Sequence, residues 1–330
     1  MNNLQDHIPV EIQQDFAQLS QQLTSHLTSS IALVQDIKDY VLQNGGKRIR
    51  PLLILLIARG FAYTGKEHIT LGCIVEYIHT ATLLHDDILD DASFRRSQPT
   101  VNKKWGNTPA VLIGDYFYTQ AFLLIASLND SGITEIFAKT NALIIEGELL
   151  QLTEVANMQL SQLQYLRIIY RKTAALFAVA ARVMAVLANK TPEQQSAIAH
   201  YARCLGMAFQ IIDDWLDYAG EAKQTGKQPG KDLAEKKLTL PLIHAFRTGS
   251  PAEIQVLKQA LTHHDPADHP VQLNQVKHIL ERTGALDYTK TCATYYAQRA
   301  VHFLEQVELT DKTMEHYLQQ IAVQLLERAY

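Results

Sequence analysis

The chain has 330 residues, long for one ordinary domain, and 47% of them are hydrophobic, enough for a large core. Thirty-four acidic against 30 basic residues leave a net charge of -4, which argues against a nucleic-acid-binding surface and, with that hydrophobicity, against disorder. Cys73, Cys204 and Cys292 lie far apart with no CxxC pair, so neither a disulfide framework nor a zinc site is expected.

Apolar residues recur at helical spacing almost throughout, and strand signals are nearly absent. Residues 1–30 are polar, Gln-rich and amphipathic, without a signal peptide's basic and apolar regions. The longest apolar runs, Leu52–Ala58 and Ala174–Ala181, are far shorter than a membrane span. A cytoplasmic protein is expected.

Helices are expected over 9–27 and 31–43. Gly45-Gly46 ends the second, and Pro51 opens the next over 51–64. Further helices are expected over 67–91, 108–127, 132–153 and 160–188, the last capped by Ser161. Thr191-Pro192 starts a helix over 192–220, and Gly226, Pro229 and Gly230 mark a loop after it. Helices over 238–247, 252–262, 270–304 and 311–328 complete the chain. The His- and Pro-rich stretch 263–270 reads as a solvated loop rather than a metal tract. The expected fold is all-α, a single-domain helical bundle over residues 1–330.

Two stretches break the amphipathic pattern. Residues 83–91 and 209–217 each carry Asp-Asp-x-x-Asp inside an apolar helix. Positions i and i+4 share a face with i+1 beside it, so Asp86, Asp87 and Asp90 form one cluster and Asp213, Asp214 and Asp217 another. Like charges at that spacing destabilise a helix, and apolar flanks worsen their desolvation. One such cluster reads equally well as a solvated acidic face, but two copies of it point to a bound hard cation. Mg²⁺ takes one or two carboxylates together with substrate phosphates.

Cations gather at the turns. Gly45-Gly46 precedes Lys47, Arg48 and Arg50. Arg95-Arg96 follows the first acidic cluster, Lys227 and Lys231 follow the second, and Arg171-Lys172-Thr173 lies within a helix. Arg forks and Lys point charges suit phosphate oxygens. Any one of these alone reads as a solvated basic turn. Beside two acidic clusters they fit one diphosphate bridged by Mg²⁺ and a second in a basic pocket.

The segments GGKRIRP, LLHDDILDDASFRR, GDYFYTQAF, EGELLQL, RKTAALF, FQIIDDWLDY and TGKQPGKDLAEKKLTLPL occupy residues 45–245 in order. Together they resemble the trans (all-E) polyprenyl diphosphate synthases. NKKWGNTPAVLIGDY and the terminal ERAY most resemble the catalytic component of two-component heptaprenyl diphosphate synthases. Where the family often has glycine, this chain has Lys231 or Lys236; where it usually has Pro or Thr, this chain has Leu238.

The resemblance implies a bundle of isoprenoid synthase type around a deep cavity, with the two Asp motifs at its mouth. Asp86, Asp87, Asp90, Asp213 and Asp217 would hold three Mg²⁺ ions on an allylic diphosphate, with Asp214 also catalytic. Arg95, Lys172 and Lys227 would grip that diphosphate, with Thr173 and Gln210 beside it. Lys47, Arg50, His79 and Arg96 would hold isopentenyl diphosphate. Glu148 and Gln151 would point into the cavity. The implied reaction is head-to-tail condensation to a polyprenyl diphosphate of about C30–C40, used for isoprenoid quinone side chains. The tail would pass Thr82, Ala81 and Ile78, whose size would set product length. The alternatives are another class I terpenoid synthase, a short-chain synthase, or a non-enzymatic helical partner subunit.

The family also implies a homodimer, with a smaller regulatory subunit as a second partner and at most transient membrane contact for product release. The stripe Phe117, Ala121, Leu124 and Leu128 within Gly114–Leu128 suits the dimer contact.

Overall fold

Apolar side chains at helical spacing drive the chain into helices that bury one stripe each, as Ile12, Leu19 and Leu23 do on the first. The computed structural model describes residues 9–220, 229–262 and 269–327. In order come α1 (Val10–Ser25), α2 (Ala32–Gln43), α3 (Ile49–Gly60) and α4 (Glu67–Leu89). A hairpin of β1 (Phe94–Arg95) and β2 (Gln98–Pro99) follows, then α5 (Val101–Trp105), α6 (Asn107–Ser127) and α7 (Ser131–Thr153). Next are α8 (Gln162–Ile169), a π turn (Tyr170–Ala174), α9 (Ala175–Leu187) and α10 (Pro192–Ala219). The remaining helices are α11 (Lys231–Ala234), α12 (Leu240–Thr248), α13 (Pro251–Thr262), α14 (His269–Arg282), α15 (Ala285–Leu304) and α16 (Lys312–Glu327).

The all-α expectation holds, with four local differences. The helix expected over 51–64 stops at Gly60, because the chain turns at Ala62, whose φ is 52°. The helix expected over 160–188 is interrupted by the π turn. The helix expected over 270–304 is two, parted at Gly284, whose φ of 67° ends α14. The hairpin gave no alternating pattern because each strand has two residues. The Ser161 cap is present as a full capping box with Gln164. Residues 263–268, with most of the expected His-rich loop, lie outside the described residues.

The described residues gather into two compact units, each assembled from separated stretches. One contains residues up to Thr140, Leu176–Ala199 and Phe303–Gln320. In it α4 packs against α6, α3 and α1, and nearly every residue of α3 is buried. The other contains Asn141–Ala175, His200–His302 and the chain from Ile321. Its core joins Ile168, Ile211, Leu242, Val276 and their neighbours from α8, α10, α12 and α14.

Helix α6 has the length and composition of a membrane span, which no uninterrupted apolar run had suggested. Its expected dimer stripe needs correction. Phe117 and Ala121 are fully buried within the protomer, whereas Leu112, Phe122 and Leu123 are exposed. A nearly all-apolar helix leaves two stripes to choose from, and packing on α4 takes the first.

Candidate active site

The first basic segments meet in a cavity of about 70 Å³ lined by Arg48, Glu76, His79, Asp87, Arg95 and Arg96, among others. The hairpin supplies its geometry. Arg96 and Ser97 form its two-residue turn with φ of 51° and 63°, a conformation costly for side chains bearing a Cβ. This turn sends two adjacent arginines to different partners. Arg95 donates to both oxygens of Asp87 at 2.7–3.0 Å. Arg96 reaches back to the Asn44 carbonyl at 2.8 Å and lies flat over Gly46, where a Cβ would stand 2.2 Å from the guanidinium. The two glycines thus serve the approach of a protein cation.

His79 faces the same cavity from α4. Burial and the guanidiniums of Arg50, Arg95 and Arg96 hold its pKa well below the usual range. Arg50 does not line the cavity; its guanidinium lies 4.4 Å from the centre of the Phe177 ring. Lys47 is exposed beside the loop. Two residues were not singled out from the sequence as site residues. Arg48 lines the cavity and donates to Ser20 Oγ at 2.8 Å. Glu76 is a buried carboxyl that burial pushes up, against the pull of Arg48, Arg50 and Arg96. It lies three residues before His79, a helical signal that an acid on an apolar helix could have offered.

The second unit holds a cavity of about 130 Å³ lined by Gln151, Tyr165, Lys172, Thr173, Gln210 and Asp214, with Asp232 and Lys237 at α11 and just beyond. Lys172 and Thr173 sit in the π turn, a local widening common at functional sites. Lys172 Nζ pairs with Glu148 at 2.6 Å. Glu148 is therefore a partner for the expected phosphate-binding lysine, while Gln151 lines the cavity as expected. Thr173 Oγ1 donates to Gln210 Oε1 at 2.9 Å, and Gln210 Nε2 donates to Asp214 Oδ1 at 2.8 Å. The Tyr165 hydroxyl donates to Asp214 Oδ2 at 2.6 Å.

The two motifs do not use their carboxylates uniformly. Asp87 is occupied by Arg95. Asp217 accepts from the backbone N–H of Lys231 at 3.1 Å and of Asp232 at 2.9 Å, anchoring the start of α11. Both are expected to face metal, and each also accepts from a protein donor. Burial pushes Asp214 up to about 7, against the pull of its two hydrogen bonds. Burial, with Asp217 and Asp214 nearby, also pushes Asp232 well up. Such crowded acids favour a cation beside them. Among the described residues no three His, Cys, Asp or Glu side chains form a ready-made metal cage. Mg²⁺ fills its octahedron with phosphate oxygens and water around one or two carboxylates. Asp86 and Asp90 stand one turn apart at the end of α4 and could serve, as could Asp213.

Residues 31–280 match the family model described as polyprenyl synthetase. The chain belongs to the polyprenyl synthetase family. It is 39% identical to the octaprenyl diphosphate synthase of Escherichia coli over 88% of this chain and 90% of that one. It is 31% identical to heptaprenyl diphosphate synthase component 2 of Geobacillus stearothermophilus, over 90% and 91%. The expected heptaprenyl likeness is thus present, below the octaprenyl one. A polyprenyl synthase from Caulobacter crescentus, solved with calcium and isoprenyl diphosphate, superposes with TM-score 0.90 at 34% identity, covering 95% of this chain and 94% of that one.

As a polyprenyl synthetase with such relatives, the chain is a prenyltransferase of the isoprenoid synthase fold that makes long-chain polyprenyl diphosphates. The family works on isopentenyl and allylic diphosphates with a divalent metal, Mg²⁺. Of the residues expected to border the growing tail, Ala81 and Ile78 are fully buried on α4, and Thr82 is half-buried with its hydroxyl bonded to the His79 carbonyl at 2.8 Å. Lys227 lies outside the described residues. The departures after the second motif also find places. Lys231 pairs with Glu235, Leu238 is buried, and Lys236 takes a φ of 56°, the conformation that glycine adopts freely.

Proposed function

We propose that this chain elongates an allylic diphosphate with isopentenyl diphosphate to about the octaprenyl length, for quinone side chains, acting as one synthase domain. The observation that carries this reading is the Gly46–Arg96 approach, which joins two distant basic segments in a cavity that His79 also lines. A cyclase, which takes a single diphosphate substrate, has no use for this second anion pocket.

In this reading the pocket of Arg48, His79 and Arg96 receives isopentenyl diphosphate, with Lys47 and Arg50 adding positive charge. Lys172, exchanging Glu148 for a phosphate oxygen, and Arg95 hold the allylic diphosphate, with Lys227. Asp86, Asp90 and Asp213 would hold Mg²⁺, three ions per site, whose charge would stabilise the diphosphate as a leaving group. The apolar walls exclude water from the allylic cation. Isopentenyl diphosphate adds through its double bond to the allylic carbon, whose C–O bond to diphosphate has broken, and the departed diphosphate held by Arg95 and Lys172 takes the released proton. Small Ala81 and Thr82 leave room for a long tail, with Ile78 farther along the same helix.

The enzyme acts as a cytoplasmic homodimer through the exposed Leu112, Phe122 and Leu123 of α6, an apolar face suited to a second copy. The heptaprenyl relative, named as a component, supports a smaller partner subunit as well. The apolar product implies brief membrane contact at release.

The test supplies farnesyl diphosphate and labelled isopentenyl diphosphate with Mg²⁺ and sizes the dephosphorylated product. Label should enter long chains and stop with chelator. No consumption of isopentenyl diphosphate would sink the reading. Sedimentation should give a dimer that Leu112→Glu dissociates, and full activity without any partner would remove the second subunit.

A further inference from the structure

The cavity of Arg48, His79 and Arg96 is walled by α2 and the loop after it, by α4, and by the hairpin that leads into α5. The hairpin segment is held to its two neighbours by different means. Toward α4, Arg95 grips Asp87, the Asn102 amide donates to the Asp87 carbonyl at 3.2 Å, and the Thr100 hydroxyl donates to the Ala92 carbonyl at 2.6 Å. Toward α2, Arg96 donates to the Asn44 carbonyl, and the Tyr40 hydroxyl donates to the Pro99 carbonyl at 2.7 Å. Tyr40 and Pro99 both line the cavity. The Tyr40 ring is itself clamped by α5. It meets Trp105 edge-on at 5.1 Å, and Lys104 Nζ stands 4.1 Å from its centre and 4.4 Å from that of Trp105. Ring and hydroxyl thus bind one strand-to-helix segment at two points.

The two bonds toward α2 differ in kind. Arg96 is a phosphate-binding cation of this pocket, so an arriving diphosphate competes with Asn44 for its donors. The Tyr40 bond spends no cation and survives that exchange. Resting on the prenyl-transfer reading above, we propose that Tyr40 is a positioning residue for isopentenyl diphosphate: its bond to Pro99 keeps the hairpin against α2 while Arg96 turns to the ligand. Without that bond a share of the molecules hold Arg96 out of reach, and the apparent affinity falls by that share. Arg95 keeps its grip on Asp87, so the allylic site is spared. Once isopentenyl diphosphate saturates the pocket the hairpin is in place, and turnover is spared too.

The test is steady-state kinetics of one condensation, with farnesyl diphosphate, isopentenyl diphosphate and saturating Mg²⁺. Tyr40→Phe keeps the clamped ring and removes only the bond. It should raise KM for isopentenyl diphosphate about fivefold, with kcat and KM for farnesyl diphosphate within about twofold of the parent. Tyr116→Phe is the matched control, because it too loses one hydroxyl-to-carbonyl bond, to Thr28 at 2.8 Å, from a residue that does not line the cavity. It should leave both KM values unchanged. A second readout needs no turnover. Arg96 and Ser97 form an exposed turn, so trypsin should release the fragment ending at Arg96 faster from Tyr40→Phe, and saturating isopentenyl diphosphate should restore the parent's rate. An unchanged KM for isopentenyl diphosphate, an equal rise in both KM values, or an equal rise in the control would overturn the proposal, as would cleavage no faster than the parent's. A parent that consumes no isopentenyl diphosphate sinks the prenyl-transfer reading and the tether together, whereas an active parent matched by Tyr40→Phe sinks the tether alone.

Discussion

A β-carbon on Gly147 would stand 2.6 Å from the Arg171 Cβ and 2.9 Å from the Lys172 backbone nitrogen. Helix α7 therefore rests directly on the π turn, and the contact places Lys172 against Glu148, the residue after Gly147. Gly147→Ala should push the turn away. Overpacking of this kind costs about 1–3 kcal/mol, and KM for the allylic diphosphate should rise severalfold as Lys172 shifts. Thermal melts and initial rates check both; an unchanged KM would show that the close approach does not position the lysine.

Asp86→Ala and Asp213→Ala should leave folded helical proteins with turnover reduced by about a thousandfold or more. Each removes one charge from a crowded acidic cluster, so the metal-free protein should melt no lower than the parent. Near-normal turnover of either variant at saturating Mg²⁺ would contradict the metal assignment.

Asp214 keeps its proton up to about pH 7 in the fold, whereas an unfolded aspartate ionises near pH 3.9. Between those values the folded chain holds the extra proton, so this residue removes stability as pH rises and adds no further slope above about 7. Asp214→Asn cannot ionise and should lose that slope. Urea melts of the metal-free proteins should show the variant gaining on the parent, by up to a few kcal/mol, between about pH 4 and pH 7. A stability difference that stays constant over this range would show that Asp214 is ionised in the fold.

Lys236 holds a left-handed φ of 56°, and its carbonyl is fixed by the Ala156 N–H at 3.0 Å. That conformation costs a side chain about 1–2 kcal/mol, while glycine's greater unfolded entropy costs about 0.5–1. Lys236→Gly should therefore raise stability by up to about 1 kcal/mol, read as a melting shift of about a degree. A lower melting temperature would mean that the lysine side chain contributes more than its backbone costs.

Ala81 is fully buried, one helical turn after Tyr77, whose ring meets Phe117 edge-on at 5.6 Å. Ala81→Phe should close the path of the tail and shorten the product without abolishing the first condensation. An unchanged product distribution would make Ala81 a packing residue only.

Helical spacing alone determined much of this protein. It put Asp86 beside Asp90 and Asp213 beside Asp217, because a turn of 3.6 residues leaves no other arrangement. The sequence also announced the Ser161 cap and the all-α fold, while Gln164's part in that cap appeared only in the structure. Which cation each carboxylate meets was another matter. Arg95 takes Asp87 because a two-residue turn splits an arginine pair, and Asp217 is diverted to the α11 backbone fourteen residues on. Glu148 finds Lys172 only because Gly147 admits the π turn, and Tyr165 finds Asp214 across forty-nine residues. Periodicity is a property of one helix, but charge pairing, burial and the resulting pKa shifts depend on distances between helices, which only tertiary packing sets.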